Sequence, residues 1–136
     1  MKALLWYGIF PCLLAGASVL WHPSPASWEA PQPAEGELRL QDLEQWPGEV
    51  LWVDARNRES YDAEHVPGAV WLSESGFDAE LMGLLERWQP GARVVVYCDS
   101  EVCDASHAVA RRLREEVGLP EVWVLFGGWK AWQRSR

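Results

Sequence analysis

The chain has 136 residues, 49% of them hydrophobic and 24% charged, with a formal net charge of −8 and three cysteines. That length accommodates a leader and one domain but not two, and the acidic balance argues against a nucleic-acid-binding surface. Three cysteines are too few for a disulfide scaffold, so the folded part must rest on an apolar core, which the ten tryptophans help to fill.

The chain opens with Lys2 and then nineteen residues without a charge, Ala3–Trp21. About 20 apolar residues span a hydrocarbon core of ~30 Å, and Trp6, Tyr7 and Trp21 stand near the ends of the run, where aromatic rings favour the interface. Residues 1–21 are therefore expected to form a hydrophobic helix that serves as a membrane anchor or signal segment. A cleaved secretory signal is the competing reading, with Ala15-Gly16-Ala17 as its processing site. The anchor is preferred because apolar residues continue through Val19, Leu20 and Trp21. Both readings export the domain: anchored with the domain on the periplasmic or extracytoplasmic side, or secreted after cleavage. Pro11 and the lack of a polar face set aside a core helix. Residues 22–37 carry Pro23, Pro25, Pro31 and Pro33 and read as an extended, proline-rich linker.

Residues 38–136 are expected to be one domain. Leu38–Leu40 adds a first short strand, and the apolar run Val50–Val53, ending at Asp54, is a second. Asn57 caps a short helix over Arg58–Ala63. A strand follows at Ala69–Leu72, then a helix whose stripe is Phe77, Leu81, Leu84, Leu85 and Trp88, closed by Pro90-Gly91. Val94–Tyr97 is the next buried strand. Ala105, Val109, Leu113 and Val117 mark a helix with Gly118 just past its end, and Glu121–Leu125 is the last strand. Unbroken apolar runs alternating with helical stripes predict an α/β fold. Its single open sheet has about five mainly parallel strands and helices on both faces.

In such sheets, sites form at the carboxyl ends of strands. Asp54-Ala55-Arg56 and the loop Cys98–Cys103 stand at two of those ends. A cysteine between a buried strand and a helix meets loop N–H groups and the positive end of the helix dipole, both of which favour thiolate. Any chemistry is therefore expected at Cys98.

Three segments carry a resemblance. Trp52-Val53-Asp54-Ala55-Arg56 followed by Tyr61 and His65-Val66-Pro67-Gly68-Ala69 resembles the first signature of rhodanese-like domains. Val95-Val96-Tyr97-Cys98 resembles their active-site strand and cysteine, and Val122 with Gly127-Gly128-Trp129-Lys130-Ala131-Trp132 their C-terminal signature. The resemblance implies a five-stranded parallel sheet and a cysteine that carries sulfane sulfur as a persulfide. By position that residue is Cys98, with the loop Asp99, Ser100, Glu101 and Val102 binding substrate, and Asp54 and Arg56 in support. It also implies a sulfurtransferase that uses a small sulfur donor and a thiol acceptor, with neither cofactor nor metal.

The loop differs from the family pattern, which commonly carries Arg or Lys and Gly. It holds two acids and no base, so thiosulfate is expected to be a poor donor. The second cysteine, Cys103, makes a C-x4-C variant and is a candidate resolving thiol. A thiol–disulfide redox protein using Cys98 and Cys103 is the first alternative, and a non-catalytic binding module the second. A phosphatase is set aside because Asp104 occupies the position where an Arg would clamp phosphate. A zinc site from Cys98, Cys103 and His107 lacks a fourth ligand.

Overall fold

The computed structural model describes residues 30–99 and 103–136, so the leader expected over residues 1–21 and most of the linker lie outside the described residues. Among the described residues no helix is long and apolar enough to cross a membrane. The fold below is that of the unit Gln32–Arg136.

Among the described residues five strands and five helices alternate. They are β1 (Glu37–Leu38), α1 (Leu40–Glu44), β2 (Val50–Asp54), α2 (Arg58–Ala63), β3 (Val70–Trp71), α3 (Phe77–Leu85), β4 (Arg93–Tyr97), α4 (Asp104–Glu115), β5 (Val122–Leu125) and α5 (Gly128–Arg134). The strands form one open sheet in the order β1-β5-β4-β2-β3, with every pairing parallel. The central pair runs in register from Val50 opposite Arg93 to Asp54 opposite Tyr97. Both strands therefore end at one level, with Asp54 and Tyr97 side by side.

Alternation along the strands divides the core between the two faces. Leu51, Val53, Val94, Val96, Val122 and Val124 face one way and pack with Phe77 and Leu84 of α3 and Val109, Ala110 and Leu113 of α4. Val95, Tyr97 and Leu125 face the other way, with Trp129 of α5 and, around them, Leu40, Leu43, Trp52 and Trp132. Burial of that kind stabilises by roughly 25 cal/mol per Å² of apolar area. It explains why β4 reads as an apolar run from Val94 onward: both of its faces are covered.

Most strand ends differ from the expectation by a residue, and two boundaries differ with a clear local consequence. The first strand is Glu37–Leu38 rather than Leu38–Leu40 and takes Glu37 from the linker, because Leu40 already begins α1. The cause is local: the Arg39 N–H donates to Asp42 Oδ2 at 2.8 Å, closing a capping contact that starts the helix. The helix expected to reach Trp88 closes at Leu85, although the Trp88 N–H still bonds to the Leu84 carbonyl at 2.9 Å. Trp88 reaches the core from that final turn. Gly118, at φ +81°, turns the chain after α4 so that the Leu119 N–H returns to the Leu113 carbonyl at 3.0 Å.

Candidate active site

Cys98 follows the last residue of β4 and is 3% exposed. Cys103 is the N-cap of α4 and adds no side-chain cap of its own, so the first turn of that helix directs N–H groups and positive potential toward the loop. The two sulfurs are joined as a disulfide, with Cα atoms 6.1 Å apart, a spacing within the usual range for such bridges. The loop is also held from below. The Trp129 N–H, in the first turn of α5, donates to the Cys98 carbonyl at 2.6 Å, and the Lys130 N–H donates to the Asp99 carbonyl at 3.4 Å. Gly127, in the left-handed region at φ +79°, makes the sharp entry into α5 that brings these donors under the loop.

Beside the cysteine lies a buried charge network. Asp54 is fully buried and Arg56 is 5% exposed. The guanidinium grips the carboxylate with two prongs, Nε to Oδ1 at 3.0 Å and Nη2 to Oδ2 at 2.7 Å, and the Arg56 N–H adds a third bond to Oδ1 at 3.0 Å. The same Nη2 donates to the Glu64 carbonyl at 2.6 Å, tying in the end of α2. The Tyr97 hydroxyl donates to Asp54 Oδ2 at 2.7 Å and accepts from the Val66 N–H at 3.1 Å. Burial works against the Arg56 charge, but the Asp54 bonds outweigh it and raise the guanidinium pKa above its ordinary value. Tyr97 is also pushed upward, first by burial and then by the adjoining Asp54 carboxylate, although the Val66 N–H acts in the opposite direction. Aromatic rings close the network: the guanidinium lies 4.4 Å from the Trp129 ring centre, and Trp129 stacks on Tyr97 at 6.0 Å.

Of the residues singled out from sequence, Cys98, Cys103, Asp99, Asp54 and Arg56 come together at this end of the sheet. Ser100, Glu101 and Val102 lie outside the described residues. The Asp99 side chain is 61% exposed, and its Oδ1 is 4.0 Å from Arg56 Nη1. Arg56 is already neutralised by Asp54, so the approach to Cys98 keeps the negative charge of Asp99. His65 is engaged locally: its Nδ1 donates to the Tyr61 carbonyl at 2.7 Å, and its ring stacks on that of Tyr61. His107 pairs with Glu37 at 3.0 Å.

A cleft of about 460 Å³ opens next to the loop, lined by Ala55, Arg56, Asn57, Ser73, Glu74, Ser75 and Ala105. It draws on the ends of β2 and β3 and the start of α4, the position expected for a ligand site on an open parallel sheet. Its floor is held by Glu80, whose carboxylate accepts from the Ser73 N–H at 2.6 Å and from the Ser73 hydroxyl. These serines were not legible as site residues, and neither were the polar role of Tyr97 or the contact of Trp129 with Arg56. Only the strand order brings them beside the cysteine. Chemically, the arrangement offers a shielded sulfur at a helix N-terminus, beside a buried guanidinium that is already paired with a carboxylate.

The family model for the rhodanese-like domain matches residues 39–135. The thiosulfate sulfurtransferase GlpE of Coxiella burnetii is 31% identical over 99 residues, which cover 70% of this chain and 86% of that protein. Among solved structures, a protein from Bacillus halodurans is similar with a TM-score of 0.60 and 21% identity, covering 73% of this chain and 72% of the other. A thiosulfate sulfurtransferase from Pseudomonas aeruginosa gives a TM-score of 0.54 and 27% identity, covering 79% of this chain and 20% of that one.

Proposed function

The chain belongs to the rhodanese-like domain family, and on that premise we propose that it is a sulfurtransferase that carries sulfane sulfur as a persulfide on Cys98. The observation that carries this reading is the setting of Cys98. The residue is 3% exposed just past the end of β4, its carbonyl is fixed by α5, and the start of α4, without a side-chain cap, follows the loop. That potential favours thiolate, the form that attacks a sulfur donor. It also favours the persulfide anion that results.

The donor is a small sulfur compound and the acceptor a thiol, which enters by the cleft between Arg56 and Ala105. The loop 99–102 receives the outer sulfur. With Asp99 at its start and Arg56 already paired, the site favours a neutral persulfide over the thiosulfate dianion. The test is to reduce the full chain, remove the reductant, mix it with glutathione persulfide and weigh it intact. On first mixing, wild type is expected to gain one sulfur on the peptide containing Cys98, and Cys98→Ser none on that peptide. Equal sulfur uptake by Cys98→Ser would refute the assignment.

The same reading covers the rest of the chain. Residues 1–21 anchor the protein in a membrane, the proline-rich stretch from residue 22 up to β1 forms a tether, and the domain works on the exported side. The lone positive charge at Lys2 ahead of the apolar run supports that orientation. The full chain is then expected in the membrane fraction, with its domain open to protease from outside. Recovery of a soluble form beginning at Ser18 would replace the anchor by a cleaved signal, and a protected cytosolic domain would exclude export.

A further inference from the structure

The second cysteine is not needed to carry a persulfide, yet its sulfur meets that of Cys98. Cys103 is held by α4: it is the helix N-cap, and its carbonyl accepts from the Ser106 hydroxyl at 3.3 Å. Cys98 is held by the Trp129 N–H on its carbonyl. The two thiols are thus presented to each other by separate anchored elements, with Cα atoms 6.1 Å apart. A bridge across five positions closes only a short ring, and the gain in stability from a disulfide is smaller the shorter the ring. The sheet is already packed on both faces without it. Such a pair fits a reaction better than a staple.

We infer that Cys103 is the resolving thiol of the Cys98 persulfide and makes the chain a sulfide-releasing enzyme; this rests on the persulfide reading above. The contact in the structure is between the two Sγ atoms, so the sulfur within reach of Cys103 is the inner sulfur of the persulfide. The Cys103 thiolate attacks Cys98 Sγ, forming the Cys98–Cys103 bond. The bond from Cys98 Sγ to the outer sulfur breaks, and that sulfur leaves with the electron pair as hydrosulfide. The proton lost by Cys103 balances the one gained by hydrosulfide at neutral pH. The outer sulfur is reduced, the Cys103 sulfur is oxidised, and no external oxidant enters. A dithiol reductant then opens the disulfide and restores both thiols. The helix dipole at the α4 N-terminus favours the Cys103 thiolate, and Asp104 in the same turn opposes it.

The experiment loads the reduced full chain with glutathione persulfide, removes excess donor, and follows intact mass and free sulfide without added thiol. Wild type is expected to lose its added sulfur while releasing one sulfide per chain, ending as the internal disulfide. Cys103→Ser and Cys103→Ala are expected to hold the added sulfur at least roughly tenfold longer and to release sulfide only when dithiothreitol is supplied. Equal persulfide lifetimes in wild type and both variants overturn the resolving role and leave the persulfide reading standing. Sulfur recovered on the peptide containing Cys103 also overturns it, since attack would then fall on the outer sulfur. If neither variant takes up sulfur at Cys98, the persulfide reading fails and the resolving role falls with it.

Discussion

The guanidinium of Arg56 lies 4.4 Å from the centre of the Trp129 ring while both its prongs hold Asp54. One side chain thereby joins the end of β2 to α5, the helix whose N–H holds the Cys98 carbonyl. Lysine can supply the charge at this position but not the planar fork or the stacking. Arg56→Lys is expected to cost about 2–4 kcal/mol in urea unfolding, and Arg56→Met somewhat more, because it leaves the Asp54 charge buried and unpaired. Losses below about 1 kcal/mol in both variants would show that the network is not the brace described.

Tyr97 is expected to make the fold less stable at alkaline pH. Its pKa is raised from the ordinary 10.0, chiefly by burial and then by the Asp54 carboxylate. Below about pH 10 the phenol is protonated in both the folded and unfolded chain, so its contribution is fully present. Above that, the unfolded chain releases a proton that the folded chain retains, and stability falls as pH rises. Of the three tyrosines, Tyr97 is therefore expected to ionise only as the protein unfolds, with its tyrosinate absorbance rising together with loss of the near-ultraviolet circular dichroism. In Tyr97→Phe that coupled step should vanish, at a cost near neutral pH of about 1–2 kcal/mol for the lost bonds. Ionisation of Tyr97 while the fold persists would contradict the burial argument.

Asp99 bears on which donors are accepted. Its carboxylate is exposed, and its nearest cation, Arg56 at 4.0 Å, is already committed to Asp54. A like charge a few Å from an incoming anion costs about 1–4 kcal/mol before screening. Asp99→Asn is expected to speed sulfur loading from thiosulfate by roughly three- to tenfold at low salt, an effect that shrinks as ionic strength rises. The rate with a neutral persulfide donor should change far less. Equal acceleration with both donors would remove charge from the explanation.

Much of this architecture was legible because physical signals coincided locally. β4 is legible because the part of a strand covered on both faces is apolar, here Val94–Tyr97, and Cys98 because it follows that run. α2 was found through the Asn57 cap, whose Oδ1 does accept from the Ser60 N–H at 2.8 Å. α1 was missed because five residues carry no periodicity, and its start depends on the contact between Arg39 and Asp42. The polar role of Tyr97 could not be read at all. Its partner Asp54 is 43 positions away, and the two meet only because β4 lies beside β2 in register. Packing in the core is half of the role of Trp129. The other half, its N–H on the Cys98 carbonyl, needs the last helix to return beneath the loop.

That return depends on Gly127. Its φ of +79° is a conformation that a side chain makes costly, by about 1–2 kcal/mol. A Cβ placed there would also stand 2.9 Å from the Ala131 Cβ, one turn along α5. Both effects push the start of α5 away from the loop, where the Trp129 N–H meets the Cys98 carbonyl at 2.6 Å. Gly127→Ala is therefore expected to lower stability by about 2–3 kcal/mol. It should also slow sulfur loading at Cys98 in the fraction that remains folded, because the carbonyl next to the nucleophile loses its donor. The steric and backbone parts separate in a double variant. Adding Ala131→Gly removes the clash but not the positive φ, and itself costs about 1 kcal/mol as a glycine within a helix. If the clash matters, the double variant should be more stable than the sum of the two single losses allows, with a positive coupling near or above 0.5 kcal/mol. Strict additivity would assign the whole loss to the backbone, while Gly127→Ala with wild-type stability and loading would separate α5 from the site altogether.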